Sequence, residues 1–328
     1  VGSEMCIRDS GLTIDLGFAG TKLPSGRGIS FIDVPGHVRF LKNMLAGVGG
    51  VDACIFVVAA TEGWKPQSEE HLRILSLLGI RHGIVALTKV GHVDDELATI
   101  AQMEIADRTE GTFLADAPIV PVDAIEGHGI DDLNTALDQL LDVTPTARDD
   151  KKPRLWIDRV FAAKGAGTVV TGTLTGGMMR VEDELSVLPQ HAAVRVRALQ
   201  SQYADRTKVG PGNRVAANLS GVSHDQLRRG DVLVRPDDWH VTRTVDASLR
   251  VLESLDRPVT RRGAHLLYLG SGEHPVRVRV LGPDAIEPGA TGAVRMHLPI
   301  GLPLVPGDRF ILRESGQGAV SYTHLRAH

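Results

Sequence analysis

The sequence is poor in cysteine, in aromatic residues and in long apolar runs. Its 328 residues include two cysteines, Cys6 and Cys54, and only 4% aromatic side chains. Two thiols are too few for a disulfide framework or a four-thiolate zinc site, which favours a reducing compartment. No apolar run reaches the roughly 18 residues of a membrane helix, and no signal-peptide pattern is present. We therefore predict a cytoplasmic protein without a membrane segment.

The sequence also lacks a phosphate loop of the form Gly-x-x-x-x-Gly-Lys-Ser/Thr, since none of its lysines is followed by Ser or Thr. In nucleotide-binding proteins that loop supplies a cradle of backbone N–H groups, a lysine for the terminal phosphates and a hydroxyl for magnesium. A chain without it should bind nucleoside triphosphates poorly.

Although the net charge is only −4, acidic and basic residues are unevenly distributed along the chain. Residues 1–152 hold 13 basic and 23 acidic side chains, whereas residues 153–318 hold 22 and 17. A basic surface is typical of nucleic-acid contact, so the second part is the candidate for binding RNA. The excess of arginine over lysine is equally explained by a GC-rich genome, which leaves the charge as weak evidence.

Strand and helix patterns alternate over residues 11–147. A hairpin is predicted from residues 12–18 and 29–34, and apolar runs at residues 53–60, 83–87 and 118–122 predict buried strands. Helical patterns lie between them, at residues 38–45, 68–78, 94–106 and 131–141. This alternation predicts an α/β domain with a mainly parallel sheet covered by helices on both faces.

The pattern changes to all-β after a polar, proline-flanked linker at residues 148–153. Short β-branched runs separated by glycine-rich turns predict one antiparallel β-barrel over residues 154–236 and a second over residues 237–318. Residues 1–10 and 319–328 continue neither pattern and resemble translated sequencing adapters, so we predict that they are non-native tails. On that prediction the chain is an interior fragment of a longer protein.

The strongest local motif is Asp33-Val-Pro-Gly-His37, which follows an apolar strand and precedes a helical pattern. A carboxylate at a strand end can hold a magnesium-bound water, a glycine N–H can approach a terminal phosphate, and a histidine can position water for attack. Thr13 in the upstream strand could place its hydroxyl on the same metal. The alternative is a Pro-Gly turn with a helix-entry histidine, and an ordinary strand threonine.

Two further motifs follow predicted strands: Ala86-Leu-Thr-Lys89 and Val122-Asp-Ala124. Ligands bind open α/β sheets at the carboxyl ends of parallel strands, so these two loops could hold a base between them, with the lysine stem on its face. The alternative for each is an ordinary exit from a strand into a loop.

Taken in order, these motifs resemble those of the translational GTPases. The segments that carry the resemblance are residues 33–52, with Asp33-Val-Pro-Gly-His37, and residues 164–173, Lys-Gly-Ala-Gly-Thr-Val-Val-Thr-Gly-Thr. Residues 11–19, 77–89 and 302–316 are most similar to the selenocysteine-specific elongation factors within that superfamily. Elongation factor Tu would instead carry Asn before Lys89. The resemblance covers residues 11–318.

The resemblance implies an incomplete GTPase domain that uses GTP and Mg²⁺. Thr13 would ligate the magnesium ion, Asp33 would hold a magnesium-bound water, Gly36 would sense the γ-phosphate and His37 would orient the hydrolytic water. Because the phosphate loop is missing together with the first strand and helix of the domain, we expect a gap in the sheet.

The resemblance also implies a base pocket and a set of partners. Thr88 and Lys89 would contact guanine, with Val122, Asp123 and Ala124 closing the pocket. The partners would be selenocysteyl-tRNA and the ribosome, and a selenocysteine-insertion RNA hairpin only through winged-helix domains absent from this sequence; we expect a monomer. Two alternatives stay open, a non-enzymatic tRNA-binding module with a dead nucleotide site and a related carrier of initiator tRNA.

Several positions depart from the pattern of the translational GTPases. Gly91 stands where an aspartate would accept two hydrogen bonds from guanine, which leaves guanine specificity open unless Asp94 or Asp95 approaches the base. Asp123 stands where serine is usual. Val38 replaces a glutamate and Glu182 a turn glycine. Arg195 and Arg197, on one face of a predicted barrel strand, could meet tRNA phosphates or lie on a solvated face.

Overall fold

The computed structural model describes residues 15–36, 51–163, 165, 167–253, 255, 257–261, 265–314 and 320–325. Within these residues the chain forms two compact units. The first takes residues 15–36 and 51–146, and the second begins at Ala147. Thr13, His37 and the helix predicted at residues 38–45 lie outside the described residues. None of the described helices is long and apolar enough to cross a membrane.

The first unit contains a hairpin, a parallel sheet and three helices. The elements in chain order are β1 (Gly17–Lys22), β2 (Gly28–Asp33), β3 (Cys54–Ala59), α1 (Pro66–Leu77), β4 (Gly83–Thr88), α2 (Asp95–Thr109), β5 (Ile119–Val122) and α3 (Ile130–Val143). Strands β3, β4 and β5 pair in parallel with β4 in the centre. The strands predicted at residues 29–34, 53–60, 83–87 and 118–122 and the three helices predicted after residue 51 are therefore confirmed, with ends that differ by a few residues. The first strand of the hairpin, predicted at residues 12–18, is instead observed at Gly17–Lys22, and residues 12–14 lie outside the described residues.

The parallel sheet buries apolar side chains on both faces, as a sheet of this kind must. On one face, side chains such as Phe56 and Leu87 pack against Leu72 of α1 and Ile105 of α2. The core of the opposite face is formed by Ile84, Ala86 and Val122 of the strands, Leu137 and Leu140 of α3, and Leu23 of the hairpin turn. The two-sided core fixes the carboxyl edge of the sheet, where the candidate loops begin.

The hairpin is a separate sheet and does not pair with β3. Among the described residues no strand lies on the outer edge of β3, and the side chain of Val57 in that strand is 60% exposed. An apolar residue in the middle of a parallel strand is normally covered, so this edge lacks a neighbour. Among the described residues, the outer edge of β3 is therefore unpaired.

The second unit opens with a closed antiparallel barrel. Its strands are β6 (Arg154–Ala163), β7 (Gly167–Thr175), β8 (Met179–Arg180), β9 (Glu184–Leu188), β10 (Ala192–Ser201), β11 (Ala204–Arg206), β12 (Lys208–Val209), β13 (Arg214–Ser220) and β14 (Val232–Val234). The principal strands follow the order β10-β13-β7-β6-β14-β9, and β9 pairs back onto β10. Inward-facing residues alternate with outward-facing ones along each strand, which gives a dry aliphatic interior.

A second closed barrel follows in the same unit. Its elements are β15 (Val241–Arg250), β16 (Val259–Thr260), β17 (His265–Leu269), β18 (Gly272–Leu281), β19 (Ala285–Ile286), β20 (Thr291–Pro303), β21 (Arg309–Glu314) and β22 (Val320–Leu325). Strand β22 closes the barrel by pairing with both β15 and β21. The prediction that residues 319–328 continue no barrel strand is therefore wrong for β22, because register with two neighbouring strands is a tertiary property that the local pattern did not show.

The two barrels share one hydrophobic cluster. Trp156 and Val234 of the first barrel pack with Leu269 and Phe310 of the second. The hydroxyl of Ser271 donates a hydrogen bond to the carbonyl of Ile157 at 2.6 Å. Both predicted barrels are thus present, and they pack directly against each other.

Candidate nucleotide-binding site

Two candidate loops leave the parallel sheet side by side. Thr88, the last residue of β4, is the register partner of Val122, the last residue of β5. The N–H of Ala60 donates to the carbonyl of Thr88 at 2.8 Å, and the Thr88 hydroxyl reaches the carbonyl of Val58 at 3.4 Å. The structure therefore brings Thr88-Lys89 and residues 122–124 to one edge, as the strand pattern predicts.

Lys89 adopts the left-handed conformation with φ of 60°, which turns the chain away from β4 into a short 3-10 turn at residues 90–92. Its ammonium lies 3.4 Å from a carboxylate oxygen of Glu62, and both side chains are about half exposed. An exposed pair of this kind contributes little stability. The lysine side chain is therefore free to be redirected onto a ligand at small cost.

The loop after β5 is held in shape by backbone contacts. The N–H of Asp123 donates to the carbonyl of His128 at 2.9 Å, which closes residues 123–128 into a compact turn. Gly129 then begins α3 with φ of +70°, and a Cβ on it would lie 2.0 Å from the carbonyl oxygen of Pro121. Only glycine can occupy this position without moving the end of β5.

We expect Gly129→Ala to destabilise the first unit by about 1–3 kcal/mol, because it adds a strained φ and a backbone clash at one residue. Urea unfolding followed through Trp64 fluorescence measures the effect. Gly111→Ala is the matched control: Gly111 also has positive φ, but a Cβ there would meet no atom within 4 Å. Equal losses in the two variants would show that the Pro121 contact is unimportant.

Asp123 is the most enclosed polar side chain at this edge, with 2% exposure. Its Oδ1 accepts hydrogen bonds from the N–H groups of Ile125 at 3.0 Å and Glu126 at 3.3 Å. Donation by the Glu126 N–H is the largest cause that lowers its pKa, so the carboxylate is ionised at neutral pH. Its Oδ2 has no hydrogen-bond partner among the described residues, and His92 Nδ1 lies 3.4 Å away.

Gly91 lies directly against this carboxylate. A Cβ at Gly91 would be 2.9 Å from Asp123 Oδ2 and 3.1 Å from Glu126 Oε2. Sequence reasoning treated Gly91 and Asp123 as independent departures from the family pattern, and missed that they share one space. The available signal was that both departures fall on the two loops expected to read the base.

Asp94 does not approach this space. Its Oδ1 accepts a hydrogen bond from the N–H of Leu97 at 2.8 Å, so it is the N-cap of α2. Asp95 lies in the first turn of the same helix, where a carboxylate is stabilised by the helix dipole. The expectation that one of them substitutes for the carboxylate absent at position 91 is not supported by the geometry.

The phosphate-side residues that are described lie at the end of β2. Partial burial raises the pKa of Asp33, and Gly17 of β1 is its register partner. The Nε2–H of His71 in α1 donates to the carbonyl of Gly36 at 3.1 Å, and burial lowers the pKa of that imidazole. The hydrogen bond ties the segment after β2 to α1 and fixes the tautomer of His71.

No cluster of three or more metal-ligating side chains occurs in the described part of the chain. Asp33 alone fits a magnesium ion held mainly by water and phosphate oxygens, which is the usual coordination of Mg²⁺ at nucleotide sites. The carboxylate is thus suited to holding a metal-bound water, the role implied for it by the resemblance, and Thr13 remains a prediction.

Arg195 and Arg197 project from one exposed face of β10, as predicted. Arg195 is engaged by acidic neighbours: its guanidinium lies 2.7 Å from Glu184 and 3.7 Å from Glu182. These carboxylates neutralise much of the positive potential at this face. The face is therefore a weaker candidate for tRNA phosphates than the arginine pattern alone indicates.

Comparison with known proteins decides the family. Residues 7–143 match the model of the elongation factor Tu GTP-binding domain. Elongation factor Tu 2 of Streptomyces avermitilis is 30% identical over 310 residues, which cover 89% of this chain and 78% of that protein. The chain belongs to the translational GTPases. The residues that match the family model include both candidate loops.

Among translational GTPases, selenocysteine-specific factors are similar over nearly the whole chain. The selenocysteine-specific elongation factor of Desulfomicrobium baculatum is 40% identical over 303 residues, covering 92% of this chain and 48% of that protein. A crystal structure of a bacterial selenocysteine-specific elongation factor superposes with a TM-score of 0.85 at 31% identity, over 95% of this chain and 52% of that one. This chain therefore spans about half the length of these relatives.

Proposed function

We propose that this chain supplies the base-reading part of the nucleotide site and the tRNA-facing barrels of a GTP-dependent elongation factor that delivers selenocysteyl-tRNA to the ribosome. The observation that carries the proposal is the meeting of Thr88-Lys89 with Val122-Asp-Ala124 at one edge of a parallel sheet. The similarity to selenocysteine-specific factors supports the identity of the tRNA. Such a factor acts in the cytoplasm as a monomer.

The second barrel supports the RNA-binding half of the proposal. Arg277 and Arg279 of β18 lie opposite His297 and Arg295 of β20, and all four side chains are on the exposed face. Arg295 is held by Asp246 through two hydrogen bonds of 2.7 Å. Arg277 and Arg279 form no ion pair among the described residues, so this basic ladder is expected to serve an anionic partner such as an RNA backbone.

In the proposed nucleotide site, each residue has a distinct role. Lys89 covers the face of the base, and the loop of Val122, Asp123 and Ala124 closes one side of it. Asp33 and Thr13 would hold Mg²⁺, Asp33 through a water, and the metal would supply charge neutralisation at the phosphates. Gly36 offers its N–H to the γ-phosphate, and His37 orients the attacking water.

The missing phosphate loop gives the proposal a direct test. We expect the chain alone to bind a fluorescent GTP analogue at least about 100-fold more weakly than a chimera in which the phosphate loop, first helix and first switch of the Desulfomicrobium baculatum factor precede Gly11, since the loop carries most phosphate contacts. The chimera should bind in the micromolar range and hydrolyse GTP. Failure of the folded chimera to bind GTP would contradict the proposal.

His37→Ala in the chimera separates binding from hydrolysis. Because His37 is proposed to act on water rather than on the nucleotide, the variant should keep its affinity for GTP and lose most of its hydrolysis rate. A parallel loss of affinity would place His37 in nucleotide binding instead.

A second candidate function is a tRNA-binding module that works without nucleotide. The basic side chains on the exposed faces of β18 and β20 favour it. In that case the basic ladder would bind tRNA equally well with and without GTP in the chimera. A dependence of tRNA affinity on GTP would exclude this second function.

A further inference from the structure

We infer that the Asp123 carboxylate replaces the aspartate that Gly91 lacks, so that Oδ2 of Asp123 is the acceptor that selects guanine; this rests on the proposed function of the site. In the family pattern the residue at position 91 supplies the carboxylate, and serine is usual at position 123. Here both positions are changed, and the structure puts the new carboxylate where the old side chain would begin. The two changes therefore compensate for each other.

The free oxygen is the first argument for this assignment. Oδ1 of Asp123 is fully used by the N–H groups of Ile125 and Glu126, so it fixes the loop. Oδ2 is buried and accepts no hydrogen bond of normal geometry among the described residues, although the Gly91 N–H and the His92 ring lie near enough to contribute to the lowered pKa of the carboxylate. A buried, ionised oxygen with only such contacts is incompletely satisfied, and in native proteins such a group calls for a functional explanation. A ligand with N–H donors supplies the missing bonds.

Space is the second argument. A Cβ on Gly91 would lie 2.9 Å from Oδ2, closer than real Cβ atoms approach, so an aspartate at position 91 would force the present Asp123 side chain to shift. The two neighbouring carboxylates would also repel each other. The glycine at position 91 thus leaves room for Asp123, and a carboxylate remains at this edge of the sheet although it comes from the neighbouring loop.

The side chain that covers Oδ2 of Asp123, that of His92, can move away. His92 Nδ1 is 3.4 Å from Oδ2, and the imidazole is 56% exposed, so the ring can turn into solvent without losing packing. A guanine base presents adjacent N–H donors, from N1 and the 2-amino group, and both suit a single carboxylate.

The decisive variant is Asp123→Asn, which keeps Oδ1 for the turn and replaces the free acceptor by an N–H donor. Calorimetric titration of the chain at millimolar concentrations would compare guanosine monophosphate, with its 2-amino group, and xanthosine monophosphate, with a carbonyl there. The native chain should prefer the guanine nucleotide, and Asp123→Asn should shift that preference toward xanthine about tenfold or more. Glu126→Gln is the matched control, because it removes a neighbouring carboxylate and leaves Oδ2 in place.

The outcomes separate this inference from the proposed function. If neither nucleotide binds the native chain at these concentrations, the inference is overturned, and GTP binding by the chimera decides separately whether the proposed function stands. If the guanine nucleotide binds but Asp123→Asn leaves the preference unchanged, the proposed function stands and the inference is overturned. A shift in Asp123→Asn that Glu126→Gln does not reproduce supports the inference.

Exchanging the two residues gives an independent measurement. Gly91→Asp alone should lower the melting temperature of the first unit, because it places a second carboxylate against Oδ2. Asp123→Ser alone should lose the preference for guanine, and the double variant Gly91→Asp with Asp123→Ser should recover both stability and preference. Additive effects of the two substitutions would overturn the inference, since residues that replace each other must be coupled.

Discussion

Replacing Asp308 by alanine should lower the free energy of unfolding of the second unit by about 3–5 kcal/mol, the cost of leaving one charge of a buried pair unpaired. Arg154 of the first barrel donates two hydrogen bonds to Asp308 of the second, at 2.6 and 2.7 Å. The side chains are only 9% and 13% exposed. The Arg154 guanidinium also lies 4.8 Å from the ring centre of Trp239 and donates to the carbonyl of Pro303. Loss of Asp308 leaves that cation buried between the barrels.

The measurement is urea unfolding followed by tryptophan fluorescence, because Trp156 and Trp239 both lie beside Arg154. Asp246→Ala is the matched control. It breaks an equally well-formed bidentate pair with Arg295, but one that is much more exposed and should cost no more than about 1 kcal/mol. Similar losses in the two variants would contradict the view that this buried pair fastens the barrels together.

Reversing the charge of the basic ladder should produce the largest effect on RNA binding. Arg277→Glu with Arg279→Glu removes two cations that have no ion-pair partner among the described residues and places two carboxylates on the same face. We expect the affinity for tRNA to fall at least about tenfold at moderate salt, and the slope of log affinity against log salt to fall by about two. Fluorescence anisotropy with labelled tRNA at several salt concentrations measures both quantities.

The control for this experiment changes the net charge equally on the acidic unit. Arg81→Glu with Arg108→Glu reverses two exposed arginines of the first unit. If tRNA is bound by the ladder, these substitutions should leave the salt slope close to its native value. An equal loss of affinity in both double variants would show that only the overall charge matters and would exclude the ladder as a binding surface.

The sequence predicted the architecture because the relevant signals are local. Alternation of β-branched residues with turns defined both barrels, and apolar periodicity defined α1, α2 and α3 to within a few residues. What it missed depends on distant pairing. Strand β22 is stabilised by register with β15 and β21, and the short strands β8, β12, β16 and β19 exist only through their partners. Such pairings leave no periodic pattern in a single segment.

The position of the candidate nucleotide-binding loops could also be predicted from the sequence. The loops of Thr88-Lys89 and Val122-Asp-Ala124 could be placed together because both follow parallel strands, and the structure confirms that they meet. Their roles in binding guanine stay a prediction. The relation between Gly91 and Asp123 could not be read from either loop, since it depends on the distance between two segments more than 30 residues apart. The same limit applies to Asp94, whose role as the N-cap of α2 is shown by the hydrogen bond that it accepts from the N–H of Leu97.

Competition among charged tRNAs tests whether the chain belongs to a factor specific for selenocysteyl-tRNA. The chimera carrying a phosphate loop, loaded with a non-hydrolysable GTP analogue, would be titrated with selenocysteyl-tRNA, the same tRNA carrying serine, and charged initiator tRNA. We expect selenocysteyl-tRNA to bind at least about tenfold more tightly than either competitor, a difference of about 1.4 kcal/mol or more. Equal affinity for all three, or tighter binding of the initiator tRNA, would contradict the proposed function.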